Sequence, residues 1–397
     1  MEPKKRWGGY RSFSYLEAGT DYREFALSPE IGRVPPFVYP LEPDQEERAQ
    51  RLLREQVVIS LHDHCGVATA DVDELAAYNR EGREWYGYEG LAASGYDAVF
   101  ENFMDGTATI TSKMGWKWTD AIADLGMRFA DIAHQSLVFV GATVDDIVDA
   151  HRTGRIALIP AMEAATPIEN EVDRLDILFG LGVRMCGIAY SESNALGGGL
   201  KERADGGLTE LGRQAVRRMN RLGMAADVSH SGDRTALDVC RESTAPVFVS
   251  HAGARALWDI PRLKPDDVIR AVAETGGVFG IEAAPHTTLT ERHPQHSLES
   301  VMEHMEYVID LVSEDHVAFG PDTFFGDHVG FHEAFAEHMD AGEEREHPRA
   351  AYVEGLENAS EFPNVVRWLV AHGHSDDRIA KLLGGNALRA LGEAWVR

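Results

Sequence analysis

Six side chains of the kinds that bind metal ions or carry protons stand at the ends of short apolar runs in this sequence. They are His62, His64, Glu163, His230, His251 and Asp322. Imidazole nitrogens and carboxylate oxygens are common zinc ligands, and a carboxylate beside a metal-bound water can accept its proton. The set predicts a metal-dependent hydrolase, and a small amide or peptide-like molecule is the leading substrate hypothesis.

The first two histidines lie in residues 61–64 (LHDH), at the end of the apolar run that begins at Val57. Side chains alternate along a strand, so His62 and His64 are expected on one face, about 7 Å apart, and Asp63 on the other. Two imidazoles at that spacing can reach one cation. An isolated His-x-His pair is also common in solvated loops, and its place at a strand end is what favours metal binding.

Glu163, His230 and His251 each follow a later apolar run. The two oxygens of a carboxylate can bridge two cations, which is the role predicted for Glu163, although a helix cap is the commoner use of a lone acidic residue. His230 and His251 both follow an apolar run and a serine. This repetition on consecutive runs favours paired neutral imidazole ligands over two ordinary buried histidines.

Three further residues are candidates to act on the substrate. Asp322, in residues 320–322 (GPD), is the candidate acid and base, with a turn-forming aspartate as the alternative. Tyr190 ends the fourth run and can donate a hydrogen bond to a developing oxyanion. Arg262 is a candidate to bind a substrate carboxylate through two hydrogen bonds, although a surface arginine is the more ordinary interpretation.

The elements that must position these residues are eight short apolar runs, mostly separated by helical patterns. The runs are Val57–Leu61, Asp97–Phe103, Ile156–Met162, Met185–Tyr190, Met224–Ser229, Val247–Ser250, Gly277–Ile281 and Val317–Gly320. This alternation predicts an α/β protein with a parallel sheet closed into a (β/α)8 TIM-type barrel, in which chemistry collects at the carboxyl ends of the strands.

The rest of the chain is predicted to surround this barrel. We expect residues 1–45 to form an extended N-terminal arm and residues 46–397 to form a single barrel domain. A helical excursion is predicted around 105–150, with part of Trp116–Val140 helical. The C-terminal tail is expected to be helical, with a break at the glycine pair 384–385.

Composition limits the partners. The 397 residues include 65 acidic and 38 basic side chains, a formal net charge of −27, which argues against a nucleic acid or an anionic membrane as partner. The sequence has no apolar run of 18 residues and no signal peptide of the usual form, and its three cysteines show no disulfide or zinc-knuckle spacing. A cytoplasmic protein that acts on a small molecule is the expectation.

From about residue 56 to 392 the chain resembles the renal (membrane) dipeptidases, a family of zinc peptidases within the amidohydrolase-like barrels. The stretches that carry the resemblance are 207–213 (GLTELGR), 219–224 (MNRLGM), 228–230 (VSH), 246–251 (PVFVSH), 254–257 (ARAL), 352–357 (YVEGLE) and 384–389 (GGNALR). The resemblance implies two zinc ions bridged by Glu163, with His62 on one ion and His230 and His251 on the other. It also implies Asp322 as the acid/base, Arg262 as the substrate-carboxylate ligand, dipeptide cleavage and a homodimer.

Two positions and one short stretch depart from the family pattern. His64 stands where the family has aspartate, which makes the charge at the first metal more positive by one unit. Tyr190 replaces a histidine near the substrate carbonyl, and residues 164–166 (AAT) replace the usual Gly-Gly-His. These departures keep two alternatives open. One is a diverged enzyme that acts on a lactone, a cyclic amide or a lyase substrate, and the other is a metal-binding protein without turnover.

Overall fold

Eight parallel strands close into a barrel in the computed structural model, which describes residues 4–103, 117–334 and 350–395. The described residues contain eleven strands in all: β1 (Ile59–Asp63), β2 (Gly66–Val67), β3 (Trp85–Tyr86), β4 (Ala98–Asn102), β5 (Val138–Val140), β6 (Ile156–Met162), β7 (Met185–Gly187), β8 (Ala225–Asp227), β9 (Val247–Ala252), β10 (Val278–Ile281) and β11 (Val317–Phe319). β2 and β3 form a separate antiparallel pair. The barrel runs β1, β4, β6, β7, β8, β9, β10, β11 and returns to β1, where Ser60 pairs with Phe319. The fold is a (β/α)8 TIM-type barrel.

All eight predicted runs supply a barrel strand, with shifted ends. The run predicted as Met185–Tyr190 stops at Gly187, so Tyr190 lies on the following loop. The first strand extends to Asp63, so His62 lies within β1 and not after it. β5 was not predicted: Val138–Val140 pairs with β6 outside the closed ring, in a stretch assigned to helix.

Helices fill most connections between the strands. They are Pro43–Glu55, Leu75–Glu81, Tyr88–Ser94, Trp118–Ile132, Val144–Thr153, Arg174–Gly180, Glu210–Leu222, Asp233–Glu242, Asp266–Glu274, Leu298–Val312, His328–Ala334, Pro363–Ala371, Asp376–Ala380 and Asn386–Ala394. The predicted excursion at 105–150 contains two of these helices and β5, while its residues 105–116 lie outside the described part of the chain.

Local chemistry sets the ends of these helices. In Glu210–Leu222 the hydroxyl of Thr209 accepts a hydrogen bond from the backbone of Gly212, which caps the amino end. Gly223 ends the helix at φ +74°, a left-handed conformation that glycine adopts without steric cost. The buried face carries Val216 and Met219, which pack in the main apolar core.

Residues 4–42, the described part of the N-terminal arm, pack across the barrel and contain no helix. The Nζ atoms of Lys4 and Lys5 each lie 2.6 Å from a carboxylate oxygen of Asp97, the residue before β4, and Lys5 is buried. Further along, the backbone of Tyr39 donates to the side chain of Asn364 at 3.0 Å. The arm therefore contacts the start of β4 near the beginning of the chain and the helix Pro363–Ala371 near its end.

The described part of the C-terminal tail contains the helices Pro363–Ala371, Asp376–Ala380 and Asn386–Ala394, and the expected break at residues 384–385 is wrong. Lys381–Gly385 forms a π-helical turn that joins the helices on either side, and Gly384 is buried against the backbone of Val57. No helix in the described ranges combines the length and apolar character needed to cross a membrane.

Candidate metal centre

His62 lies at the middle of a buried polar cluster at the carboxyl ends of the strands. Its Nε2 is 3.3 Å from Oε1 of Glu163, which follows β6, and 3.2 Å from Oδ1 of Asp322, which follows β11. On the other side of the ring, Nδ2 of Asn102 lies 2.7 Å from Nδ1. The contact with Asn102 at Nδ1 orients the imidazole so that Nε2 is directed at two carboxylates.

His64 meets His62 on the same face, as strand alternation predicts. The two Nε2 atoms are 3.4 Å apart, and Nε2 of His64 is 3.2 Å from Oδ1 of Asp322 and 3.6 Å from Oε1 of Glu163. Asp63 points away and accepts hydrogen bonds from Thr323. Both histidines of the motif therefore face the same pair of carboxylates.

His230 and His251 form the opposite side of the cluster. Their Nε2 atoms are 2.9 Å apart, and the ring of His251 stacks on that of His62 with a centroid separation of 3.4 Å. His251 lies inside β9, whereas His230 follows β8, so two neighbouring strands present them to one space.

A buried hydrogen-bond relay selects the tautomer of His251. The Ser250 hydroxyl donates to Asp227 and lies 2.7 Å from Nδ1 of His251. Since the hydroxyl proton is committed to Asp227, the hydroxyl oxygen accepts from Nδ1–H, and the lone pair of Nε2 faces the cluster. Ser229 donates to the other oxygen of Asp227 at 2.6 Å, so the carboxylate is held from two sides.

The electrostatics of the cluster call for a cation. Burial by itself would lower the pKa of His62, but Asp322 and Glu163 outweigh it and raise the pKa to about 9. Against the effect of burial, the charge and hydrogen bond of His62 hold the pKa of Asp322 well below its usual range. Burial lowers the pKa values of His230 and His251 well below the ordinary value, so both are neutral, as ligands must be.

The residues present fit a metal ion. One ligand atom from each of His62, Glu163, His251 and Asp322 lies within 4.8 Å of the other three, and all four residues are buried. Oε2 of Glu163 is buried and has no hydrogen-bond partner among the described residues. A cation would satisfy that oxygen and the converging imidazole nitrogens together.

Of the three predicted substrate residues, Asp322 belongs to this cluster, and Tyr190 and Arg262 lie beside it. The ring of Tyr190, which is partly buried, stacks on His230 with a centroid separation of 4.1 Å. Nη2 of Arg262 is 3.8 Å from Oδ2 of Asp322, and its Nη1 donates to the carbonyl of His251 at 3.3 Å. Arg262 is thus directed into the site, and the surface alternative is wrong, since 11% of its side chain is exposed.

Sequence reasoning missed several polar residues of the site. Asn102 ends β4 and Glu282 follows β10, so the strand-end rule that selected the other candidates applies to both. Asp227 holds Ser250 and Ser229, and its signal was the repeated Ser-His pair. His328 and His332 form a separate pair, 4.7 Å between ring centroids, on a helix after β11.

A closed parallel barrel whose strand ends gather imidazoles and carboxylates defines a class of proteins, the β/α barrels with a metal-binding centre. The sequence pattern of the membrane dipeptidase family (peptidase family M19) matches residues 46–339 and 348–396. The chain belongs to this family, in agreement with the resemblance found in its motifs.

Two proteins similar to this chain carry the name dipeptidase. The chain is 31% identical to dipeptidase tcpJ of Claviceps purpurea over 252 residues, which cover 63% of this chain and 53% of that protein. It is 32% identical to dipeptidase aclJ of Aspergillus oryzae over 249 residues, 61% of this chain and 53% of that protein. The chain thus spans about half the length of the curated relatives it matches.

Solved structures share the fold. An amidohydrolase from Pseudomonas aeruginosa superposes with a TM-score of 0.72 at 24% identity, over 87% of this chain and 99% of that one. A metallopeptidase from Rhodobacter sphaeroides, liganded with a phosphinate mimic of the dipeptide L-Ala-D-Ala, gives a TM-score of 0.67 at 22% identity, over 86% and 100%. At these identities the likeness concerns the barrel alone.

Proposed function

We propose that this protein is a zinc-dependent hydrolase that cleaves the amide bond of a dipeptide-like substrate. The observation that carries the proposal is the buried group His62, Glu163, His251 and Asp322, whose ligand atoms lie within 4.8 Å of one another. Membership of the membrane dipeptidase family and the dipeptidase names of the relatives support the peptide substrate.

In this proposal five residues hold two zinc ions: His62, His64, Glu163, His230 and His251. Glu163 has one oxygen near both His62 and His64 and a second that lacks a partner among the described residues, which suits a bridging carboxylate. Bound zinc would supply a water whose pKa falls to roughly 7, and would polarise the substrate carbonyl.

The protein's own groups then handle the proton and the substrate. Oδ1 of Asp322 lies 3.2 Å from Nε2 of both His62 and His64, so this carboxylate stands beside the proposed zinc ligands, where it would accept the proton of the attacking water and later deliver it to the leaving amine. The phenol of Tyr190 donates to the developing oxyanion. Arg262 orients the end of the substrate beyond the scissile bond.

The alternative of a lactone, cyclic amide or lyase substrate rests on His64 and Tyr190. The family match and the dipeptidase relatives favour the peptide-type reaction over it. The acidic composition argues against nucleic acid or anionic membrane partners, the three cysteines without disulfide spacing suit a cytoplasmic protein, and the resemblance supports a homodimer that acts on a small molecule. Light scattering of the purified protein tests the dimer.

The function is tested with zinc content and turnover measured on the same preparation. We expect about two zinc ions per chain and hydrolysis of simple dipeptides such as Gly-Ala or Ala-Ala, and Asp322→Asn is expected to lower kcat by 10²-fold or more. Asp266→Asn, on an outer helix, is the matched control and keeps full activity. An Asp322→Asn enzyme as active as the parent contradicts the mechanism, and a zinc-loaded protein that cleaves no dipeptide contradicts the substrate class.

A further inference from the structure

Glu282 is a buried carboxylate in the site that the proposed reaction does not use. It follows β10, and its backbone donates to Ala252 of β9 at 3.1 Å, which fixes its place at the strand ends. Its side chain is fully buried and forms an ion pair with Nη2 of Arg262, the guanidinium assigned to the substrate. The substrate-binding arginine therefore already has an anionic partner from the protein.

The charges around Arg262 leave little attraction for a second anion. Its guanidinium is in direct contact with Glu282, while Asp322 is 3.8 Å away and lies closer to His62, so the positive charge of Arg262 is already offset by Glu282. A substrate carboxylate bound there would lie beside these two negative groups. In a buried site, repulsion between like charges about 4 Å apart exceeds the thermal energy several-fold.

We propose that Glu282 determines substrate specificity by selecting molecules that carry no free carboxylate at the Arg262 end. The class is a dipeptide whose carboxyl terminus is capped as an amide or continues into a further peptide bond. A carbonyl oxygen of such a group accepts a hydrogen bond from Arg262 without adding charge, while the Arg262–Glu282 pair stays intact. This inference rests on the proposed function, since Arg262 must contact the substrate.

A purely structural ion pair makes a different prediction. If Glu282 only fastened Arg262 in place, its loss would weaken binding of charged and capped substrates alike. If Glu282 sets specificity, replacing its charge frees Arg262 and improves carboxylate substrates selectively. The ratio between capped and uncapped substrates separates the two roles, because general damage to the site cancels in it.

The experiment compares Ala-Ala with Ala-Ala-amide as substrates of the zinc-loaded enzyme. Burial raises the pKa of Glu282 to about 7, so the assay is run at about pH 8.5, where this carboxylate is ionised. We expect kcat/KM for the amide to exceed that for the free dipeptide by about tenfold or more, and Glu282→Gln to lower this ratio by at least about tenfold. Glu46→Gln, which removes the glutamate of a remote pair with Arg367, is the matched control and keeps the ratio of the parent.

Binding gives a second readout that does not depend on turnover. A phosphinate dipeptide mimic with a free carboxylate and its carboxamide are titrated calorimetrically into each protein. We expect the carboxamide to bind more tightly than the free carboxylate in the parent and in Glu46→Gln, and this preference to be lost in Glu282→Gln. A parent enzyme that prefers the free carboxylate, or an unchanged ratio in Glu282→Gln, overturns the inference while leaving the dipeptidase proposal intact. If Glu282→Gln fails to fold, the parent's own preference still decides. A zinc-loaded parent that neither cleaves nor binds any of these compounds overturns the proposed function, and this inference with it.

Discussion

The relay from Asp227 through Ser250 to His251 makes a measurable prediction about metal affinity. Ser250→Ala removes the group that accepts the Nδ1–H of His251 at 2.7 Å. The imidazole then loses the partner that fixes its tautomer and orientation, and losses of this kind usually weaken metal binding 10- to 100-fold. We therefore expect the zinc dissociation constant to rise by that factor, about 1.4 to 2.7 kcal/mol.

Ser229→Ala is the matched control. Ser229 donates to the same carboxylate, Asp227, at 2.6 Å, but it contacts no imidazole nitrogen of His251. Each variant removes one buried hydroxyl, so both should lower the free energy of unfolding of the metal-free protein by about 1 to 3 kcal/mol. Only Ser250→Ala should also weaken zinc.

The assay is competition for zinc against a chromogenic chelator at fixed pH, with denaturant unfolding of the metal-free proteins measured in parallel. Equal zinc affinities in the two serine variants would refute the tautomer argument, whatever their stabilities. An unchanged affinity in Ser250→Ala would also refute it.

Three further predictions concern other parts of the molecule. His62 has a pKa of about 9 without metal and must be neutral as a ligand, so zinc binding near pH 7 should release its proton. Zinc affinity should therefore weaken about tenfold per unit of falling pH. Calorimetry in buffers of different ionisation enthalpy counts the released proton, and zero release contradicts the prediction. Asp97→Asn should lower the free energy of unfolding by about 3 to 5 kcal/mol, because Lys4 and Lys5 lose their shared carboxylate. Denaturant titration measures this loss, and a loss under about 1 kcal/mol would argue against a stabilising role for the two ion pairs. Gly187→Ala should cost about 3 kcal/mol, because a Cβ there would lie 1.8 Å from the backbone oxygen of Glu163, whereas Gly180→Ala, with open space around it, should not destabilise the fold in the same titration.

The barrel could be predicted because its strands obey a local rule. Each of the eight apolar runs is short, buried and followed by polar residues, so type and order could be recognised without knowing any contact. β5 escaped because Val138–Val140 stands at the end of a stretch whose pattern was assigned to helix. Strand ends were less certain, since the pairing that ends β7 at Gly187 depends on β8, forty residues away.

The candidate site was predicted in part for the same reason. Side chains at strand ends converge whatever their partners, so His62, His64 and His251 could be placed near one another from the strand order alone. Glu282 could not be interpreted in this way, because its meaning depends on Arg262, twenty residues earlier on another loop. The direction of Arg262 itself required the structure, since a sequence does not tell whether an arginine faces solvent or the site.

The contacts of the N-terminal arm also have a consequence for synthesis. Tyr39 bonds to Asn364, a partner 325 residues later, and β1 completes the ring only when β11 is available. A ribosome adds about 5 to 20 residues per second, so the arm and the first strand wait at least about 15 seconds for these partners. During that interval the edge of β1 that later pairs with β11 leaves its backbone N–H and C=O groups unpaired, which is the kind of edge that favours pairing with another chain.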